Sequence, residues 1–323
     1  MKILSVRNAH EALPRAIGLL KQEGIERDSR NGSVITVPYP VVTQYSHSWE
    51  RVVFWERRDT NIAFLVAEAL WMLRGRNDLA LIARYIPSFK NYSDDGKTLH
   101  GAYGNRWRHA WGFDQLDVIV ERLTLDPTDR RCVLAMWDAE DLITTSKDLP
   151  CNDTVTFQRN HDGALDMTVF CRSNDILWGA YFANAFHFGV LHEYMAARIG
   201  CPIGIYRQIS VNWHAYTKTI EPYLDYVWPV MWPYRTEQVE VAAFASHDLD
   251  HDIAFVLNAV DQNFEKVQPE GVRNLQPALR NMFAVLLAHH HRADYAAATE
   301  ALNEAEDPRN DYIVAMRRWL DRR

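Results

Sequence analysis

The 323-residue chain holds 48% hydrophobic and 24% charged residues, a balance suited to a globular protein that can bury a sizeable core. Its formal net charge of −7 argues against a general nucleic-acid surface, so any phosphate binding must rest on a few placed arginines. No run approaches the roughly 18 consecutive apolar residues of a membrane span, and the start "MKILSVRNAHEALPRAIG" is interrupted by charge too early for a secretory leader, which predicts a cytoplasmic protein without a membrane partner.

In chain order, "DTNIAFLVAEALWMLRG" (59–75) predicts a helix with a start signal at Asp59 or Thr60 and a closing Arg-Gly. Glu68 lies mid-helix among Phe64, Leu65, Trp71 and Met72, so its carboxylate projects from an apolar face where burial is costly without a purpose or a partner. The glycine-punctuated, aromatic-rich stretch 92–112 reads as a loop crossing a site. Residues 130–138 predict a buried strand. Residues 154–172 predict a hairpin turning at "NHDG", with Leu165, Met167, Val169 and Cys171 on one face. A helix over 183–200 and a strand starting at 202 follow, then prolines between 226 and 234, then helical segments near 252–264, 275–291 and 293–302.

Cys132, Cys151, Cys171 and Cys201 lie far apart, without the Cys-x-x-Cys spacing of zinc or dithiol sites, and predict reduced thiols. Cys151, in "DLPCNDTVTF", is the one with a chemical context: a nucleophilic cysteine needs a lowered thiol pKa, and Arg172 offers the positive charge. Taken alone, a small buried thiol is the simpler reading. The ordered motifs around it change that balance. "EALWMLRGRND", "GAYGNRWR", "DRR", "LPCND", "CRSND" with a glycine four residues on, and "HAY" occur in the order of one family.

This set resembles the thymidylate synthase family over roughly residues 25 to 220. The resemblance implies an α+β fold, a large twisted mixed sheet flanked by helices, with a catalytic core over 1–240 and a mostly helical segment over 241–323 packed on the same domain. It implies Cys151 as nucleophile, Glu68 as proton handler, Tyr103 near the reacting carbon and Asp175 as a folate contact. Arg30, Arg172 and Ser173 would bind phosphate from one subunit and Arg130 and Arg131 from the other, making the enzyme an obligate homodimer. Planar guanidinium forks suit that task because they grip phosphate oxygens in pairs. His214 and Tyr216 match the family's sugar contacts. The implied substrates are a pyrimidine nucleoside 5′-monophosphate and 5,10-methylenetetrahydrofolate, with no metal.

Departures from the family pattern refine the expectation. Methylating members carry histidine where this chain has Asn152, and a uracil-reading asparagine where it has Ala183. Alanine can neither accept from N3–H nor donate to O4. Asn184 and Asp153 are the nearest polar candidates for reading the base. Phe89 and Tyr92, with Trp71 behind them, stand where methylating enzymes place tryptophans over the folate. The chain also runs about a hundred residues past the sugar motif. These features resemble the hydroxymethylase branch and predict C5 hydroxymethylation of CMP or dCMP with water as the final nucleophile. A thymidylate synthase or deoxyuridylate hydroxymethylase is the alternative within enzymes; an idle nucleotide-binding or assembly protein is the alternative outside them. His247 and His251 in "HDLDHD" have a metal-compatible spacing, which a helix start with acidic residues also explains. The triplet His289, His290 and His291 spreads around a helix.

Overall fold

The computed structural model describes residues 1–245 and 248–323. Eight strands make one mixed sheet: β1 (Lys2–Val6), β2 (Ile25–Ser29), β3 (Gly32–Thr36), β4 (Val41–Tyr45), β5 (Val133–Ala135), β6 (Asn152–Arg159), β7 (Leu165–Asp175) and β8 (Ile203–Tyr216). Their order is β1-β4-β8-β7-β6-β5, and β8 pairs with β4 over Tyr206–Ser210 and with β3 over His214–Tyr216. The helices are α1 (Ala9–Glu23), α2 (Ile62–Leu73), α3 (Leu79–Tyr85), α4 (Tyr103–Arg108), α5 (Gln115–Leu125), α6 (Asn184–Ile199) and α7 (Thr217–Leu224). Five more follow: α8 (Leu249–Asp261), α9 (Pro269–Asn274), α10 (Pro277–His290), α11 (Tyr295–Ala301) and α12 (Asp311–Leu320). No described helix is long and apolar enough to cross a membrane.

Two compact units divide the chain. Residues 1–53, 116–141 and 150–231 form the first, and residues 54–115, 142–149 and 232–323 form the second. The C-terminal helices group with residues 54–115, and α8, α10 and α12 all pack on α2.

The first unit is built on the sheet. Along β7 the side chains of Leu165, Met167, Val169 and Cys171 are all fully buried, the period-2 pattern of a strand with one face on the core. The turn before it is glycine-driven: Gly163 has φ 78°, and Asn160 Oδ1 accepts the Asp162 and Ala164 N–H groups. β5 is shorter than the predicted strand because Met136 and Trp137 both turn their N–H groups to the Asp153 carbonyl, at 2.9 and 3.1 Å. A π-helical turn over Ile176–Ala183 links β7 to α6, and sequence reasoning missed it. On α6, Glu193 forms an ion pair with Arg51, both side chains almost wholly buried.

The second unit is built around α2. Its sequence, "IAFLVAEALWML", is apolar all round, as befits a helix with neighbours on every side. Asn61 supplies the cap, accepting the Phe64 N–H at 3.1 Å. The expected start at Asp59 or Thr60 lies just outside, since Asp59 is left-handed at φ 46° and its carboxylate is held by Arg322 and Arg323. The stretch expected to be all loop holds α4. Gly104 permits its approach to α2: a Cβ there would lie 2.0 Å from the Met72 carbonyl oxygen.

Candidate active site

In the first unit, Cys151 immediately precedes β6 and is half-buried. The segment is pinned to β7, because the Arg172 N–H donates to the Cys151 carbonyl at 2.9 Å and Arg172 Nε donates to the Pro150 carbonyl at 2.8 Å. The Arg172 guanidinium lies 5.2 Å from the ring centroid of Trp137, a cation–π contact. Burial pushes the thiols of Cys132, Cys171 and Cys201 up, away from thiolate chemistry.

The register of β7 and β8 sets the polar groups beside one another: Ser173 faces Asn212, and Asp175 faces His214. His214 is buried edge-on to Tyr216, their ring centroids 5.5 Å apart. Asn31, in the β2–β3 turn with Arg30, donates to the Tyr216 hydroxyl at 3.4 Å, which brings that turn to the sugar-motif strand. Arg30 is exposed. So are Arg130 and Arg131, just before β5, and Arg131 is gripped by both oxygens of Asp129.

Asp175 caps the π turn, its Oδ1 accepting the Leu177 and Trp178 N–H groups at 2.7 and 2.9 Å. Trp178 is 48% exposed on that turn, an aromatic surface that sequence reasoning did not single out. The same turn ends at Ala183, which carries no polar group, and delivers Asn184 as the first residue of α6. Asn184 bonds to both Asn152 and Asn174. Asp153 stands at an irregularity in the β6–β7 register; its Oδ1 is buried without a hydrogen-bond partner, and burial raises its carboxyl against the opposing pull of Arg172.

In the second unit, Glu68 is half-buried on α2, and burial followed by the charge of Asp148 raises its carboxyl to about 8. Asp148 accepts the Gly101 N–H at 2.8 Å, two residues before Tyr103 at the start of α4. Phe89 packs 5.7 Å from Phe64, and Tyr92, 52% exposed, stands edge-on to Phe89. Trp71 is buried and its indole N–H donates to Asp78, so it braces α3 and offers no open face.

His247 lies outside the described residues, and His251 is exposed beside Asp252. Among the described residues no group of three or more His, Cys, Asp or Glu side chains could hold a metal. His289 is buried between Tyr85 and Trp319 while His290 and His291 are exposed, so the triplet does not converge.

The first unit thus holds a pinned cysteine at the head of a sheet strand, an arginine reaching back to its segment and a His-x-Tyr pair on β8. The family model for thymidylate synthase matches residues 15–229, and the chain belongs to that family. It is 53% identical over 221 residues to a deoxyuridylate hydroxymethyltransferase of Pseudomonas phage M6, covering 68% of this chain and 63% of that protein. It is 33% identical over 190 residues to the protein of that name from Bacillus phage SP01, covering 55% and 49%. The chain thus spans less than two thirds of these relatives' length. Among solved structures, thymidylate synthase from T4 phage matches with a TM-score of 0.58 at 21% identity, over 68% of this chain and 81% of that one, a likeness of fold.

Proposed function

We propose that this protein is a folate-dependent pyrimidine nucleotide hydroxymethylase acting on deoxyuridylate. The observation that carries the reading is the 53% identity to the Pseudomonas phage M6 deoxyuridylate hydroxymethyltransferase across the span that holds Cys151, Arg172 and Asn184. The Asn184 amide supports uracil: it has one donor and one acceptor to offer side by side, the complement of a 4-oxo group and an N3–H. The longer π turn supplies this residue one place after Ala183.

In this reading the Cys151 thiolate adds to C6 of the base, which makes C5 nucleophilic and divides a hard substitution into accessible steps. 5,10-Methylenetetrahydrofolate supplies the one-carbon unit. In the first unit Trp178 offers it exposed aromatic surface and Asp175 a carboxylate, and in the second unit Phe89 and Tyr92 are proposed as folate contacts. Glu68 handles protons, and a carboxyl raised to about 8 stays protonated near neutral pH, as an acid catalyst requires. Once the one-carbon unit is joined to C5, tetrahydrofolate leaves and the C5 proton is lost; water then adds to the exocyclic methylene that remains, and the Cys151 thiolate is expelled from C6 to give the hydroxymethyl product. Arg30, Arg172 and Ser173 hold the phosphate, with His214 and Tyr216 on the sugar. Arg130 and Arg131, exposed before β5, are proposed to serve the partner of a homodimer, joined through the sheet face that exposes Phe170 and Val211.

A cytidylate substrate is the second reading. Asp153 favours it, because a carboxyl raised by burial with an unpartnered oxygen suits hydrogen bonding to cytosine N3. One assay tests both. Purified protein is given dUMP, dCMP, UMP and CMP with the folate, and products are identified by mass. A CH2O gain on dUMP is expected; a CH2O gain on dCMP or CMP alone overturns the deoxyuridylate reading, and a CH2 gain overturns hydroxymethylation.

A further inference from the structure

Four side chains of the first unit form a single hydrogen-bonded row. Asn152 Nδ2 donates to Asn184 Oδ1 at 3.2 Å, Asn184 Nδ2 donates to Asn174 Oδ1 at 3.0 Å, and Asn174 Nδ2 donates to Ser210 Oγ at 2.9 Å. Three members are sealed, with Asn152 at 0%, Asn174 at 1% and Ser210 at 1% exposure. Asn184 alone of the four keeps partial exposure, so it is the member able to meet a ligand. Gly179 makes room for the row: a Cβ there would lie 2.5 Å from Asn174 Oδ1 and 3.2 Å from Asn184 Nδ2.

The chemistry of a primary amide gives such a row a direction. Each of the two polar atoms of Asn184 spends one site on the row, which leaves one N–H and one lone pair side by side. Turning Asn184 alone would set nitrogen against nitrogen at Asn152 and oxygen against oxygen at Asn174, in a place where an unmatched polar group has no water to turn to. The three amides must therefore turn together. Ser210 permits either direction, since a hydroxyl both donates and accepts.

We propose that this row is a polarity lock. Asn152 and Asn174 are positioning residues that decide which end of the Asn184 amide donates, with Ser210 closing the row, and so whether the site takes a base with N3–H and a 4-oxo group or one with a bare N3 and a 4-amino group. The inference rests on Asn184 reading the base, as in the function proposed above. Aspartate substitutions discriminate direction, because a carboxylate only accepts. Asn152→Asp forces Asn184 to point its nitrogen at residue 152, the reverse of the present direction. Asn174→Asp still accepts from Asn184 Nδ2 and keeps it.

The test is the ratio of dissociation constants for dUMP and dCMP, measured by calorimetry in steps from pH 7 to pH 9 and read where the ratio has levelled off, because burial raises an introduced carboxyl and only its ionised form is acceptor-only. This readout needs no catalysis, and a merely structural role would weaken both ligands alike. Asn152→Asp is expected to move the ratio about tenfold or more toward the base that the wild type disfavours, with Asn174→Asp within about threefold of wild type. A shift below about threefold in Asn152→Asp, or equal shifts in both variants, overturns the lock. Should Asn152→Asp fail to fold, Asn152→Ala carries the test by removing the donor to Asn184 Oδ1: a ratio relaxed by about threefold or more supports the lock, and a smaller change overturns it. Wild-type protein that prefers dCMP overturns the deoxyuridylate reading, while the direction of the Asn152→Asp shift still decides the lock.

Discussion

Asp148 holds the charge of Glu68 in check: burial raises both carboxyls, and the Asp148 charge adds to the rise at Glu68, which reaches about 8. Between the ordinary value of 4.5 and about 8, the folded protein keeps a proton on Glu68 that the unfolded chain has lost. By linkage, that contribution to stability is fully present below about 4.5 and is lost as pH rises through about 8. Glu68→Gln is expected to flatten the fall in stability across this window and to be more stable than wild type at pH 8, as read by denaturant midpoints. An unchanged pH slope would refute the assignment.

Removing the neighbouring charge acts on the same group. Asp148→Asn is expected to lower the Glu68 carboxyl, so any limb of the pH–rate profile that needs Glu68 protonated shifts to lower pH. Loss of the Gly101 hydrogen bond alone would reduce the rate without moving that limb.

Cys151→Ala is expected to leave the fold intact and to abolish tritium exchange at C5 of the nucleotide, since exchange requires the covalent step at C6. Undiminished exchange would end the covalent scheme.

The close passage at Gly179 makes a small change costly. Gly179→Ala must displace Asn174, and such overpacking typically costs ~1–3 kcal/mol. The expected result is a lower thermal midpoint with base selectivity lost along with affinity.

The buried Arg51–Glu193 pair predicts asymmetry between single and double substitution. Arg51→Met leaves a buried carboxylate uncompensated, at a cost of about 3–5 kcal/mol, whereas Arg51→Met with Glu193→Leu recovers most of it. Chemical denaturation of the two variants reads the difference directly.

Elements with local signatures were legible in the sequence. The α2 helix, the hairpin at "NHDG" with its buried face, and α6 ending at Gly200 with φ 75° all follow from periodicity and turn chemistry. What escaped depended on geometry that no short pattern encodes. A π turn has the same residues as an α turn; the extra residue at Ile176–Ala183 becomes visible only when Asn184 is seen bonded to Asn152 and Asn174. The expected strand 130–138 was cut short by a carbonyl at the start of β6, that of Asp153. Trp71 looked like a candidate for a ligand face because an aromatic one turn from Glu68 is ambiguous until its indole N–H is found on Asp78. Asn174 and Ser210 carried no signal of their own, since each is an ordinary strand residue until the β7–β8 pairing brings them together.

The tie between Asp59 and the Arg322–Arg323 pair has a consequence for how the protein comes into being. The helix bearing Glu68 begins just after Asp59, yet the helices that enclose it, α8, α10 and α12, leave the ribosome long after it does. Contacts of such wide sequence separation close late in folding. A nascent chain halted before α8 lacks all three of these helices, so the faces of α2 they cover are closed only as the last part of the chain docks.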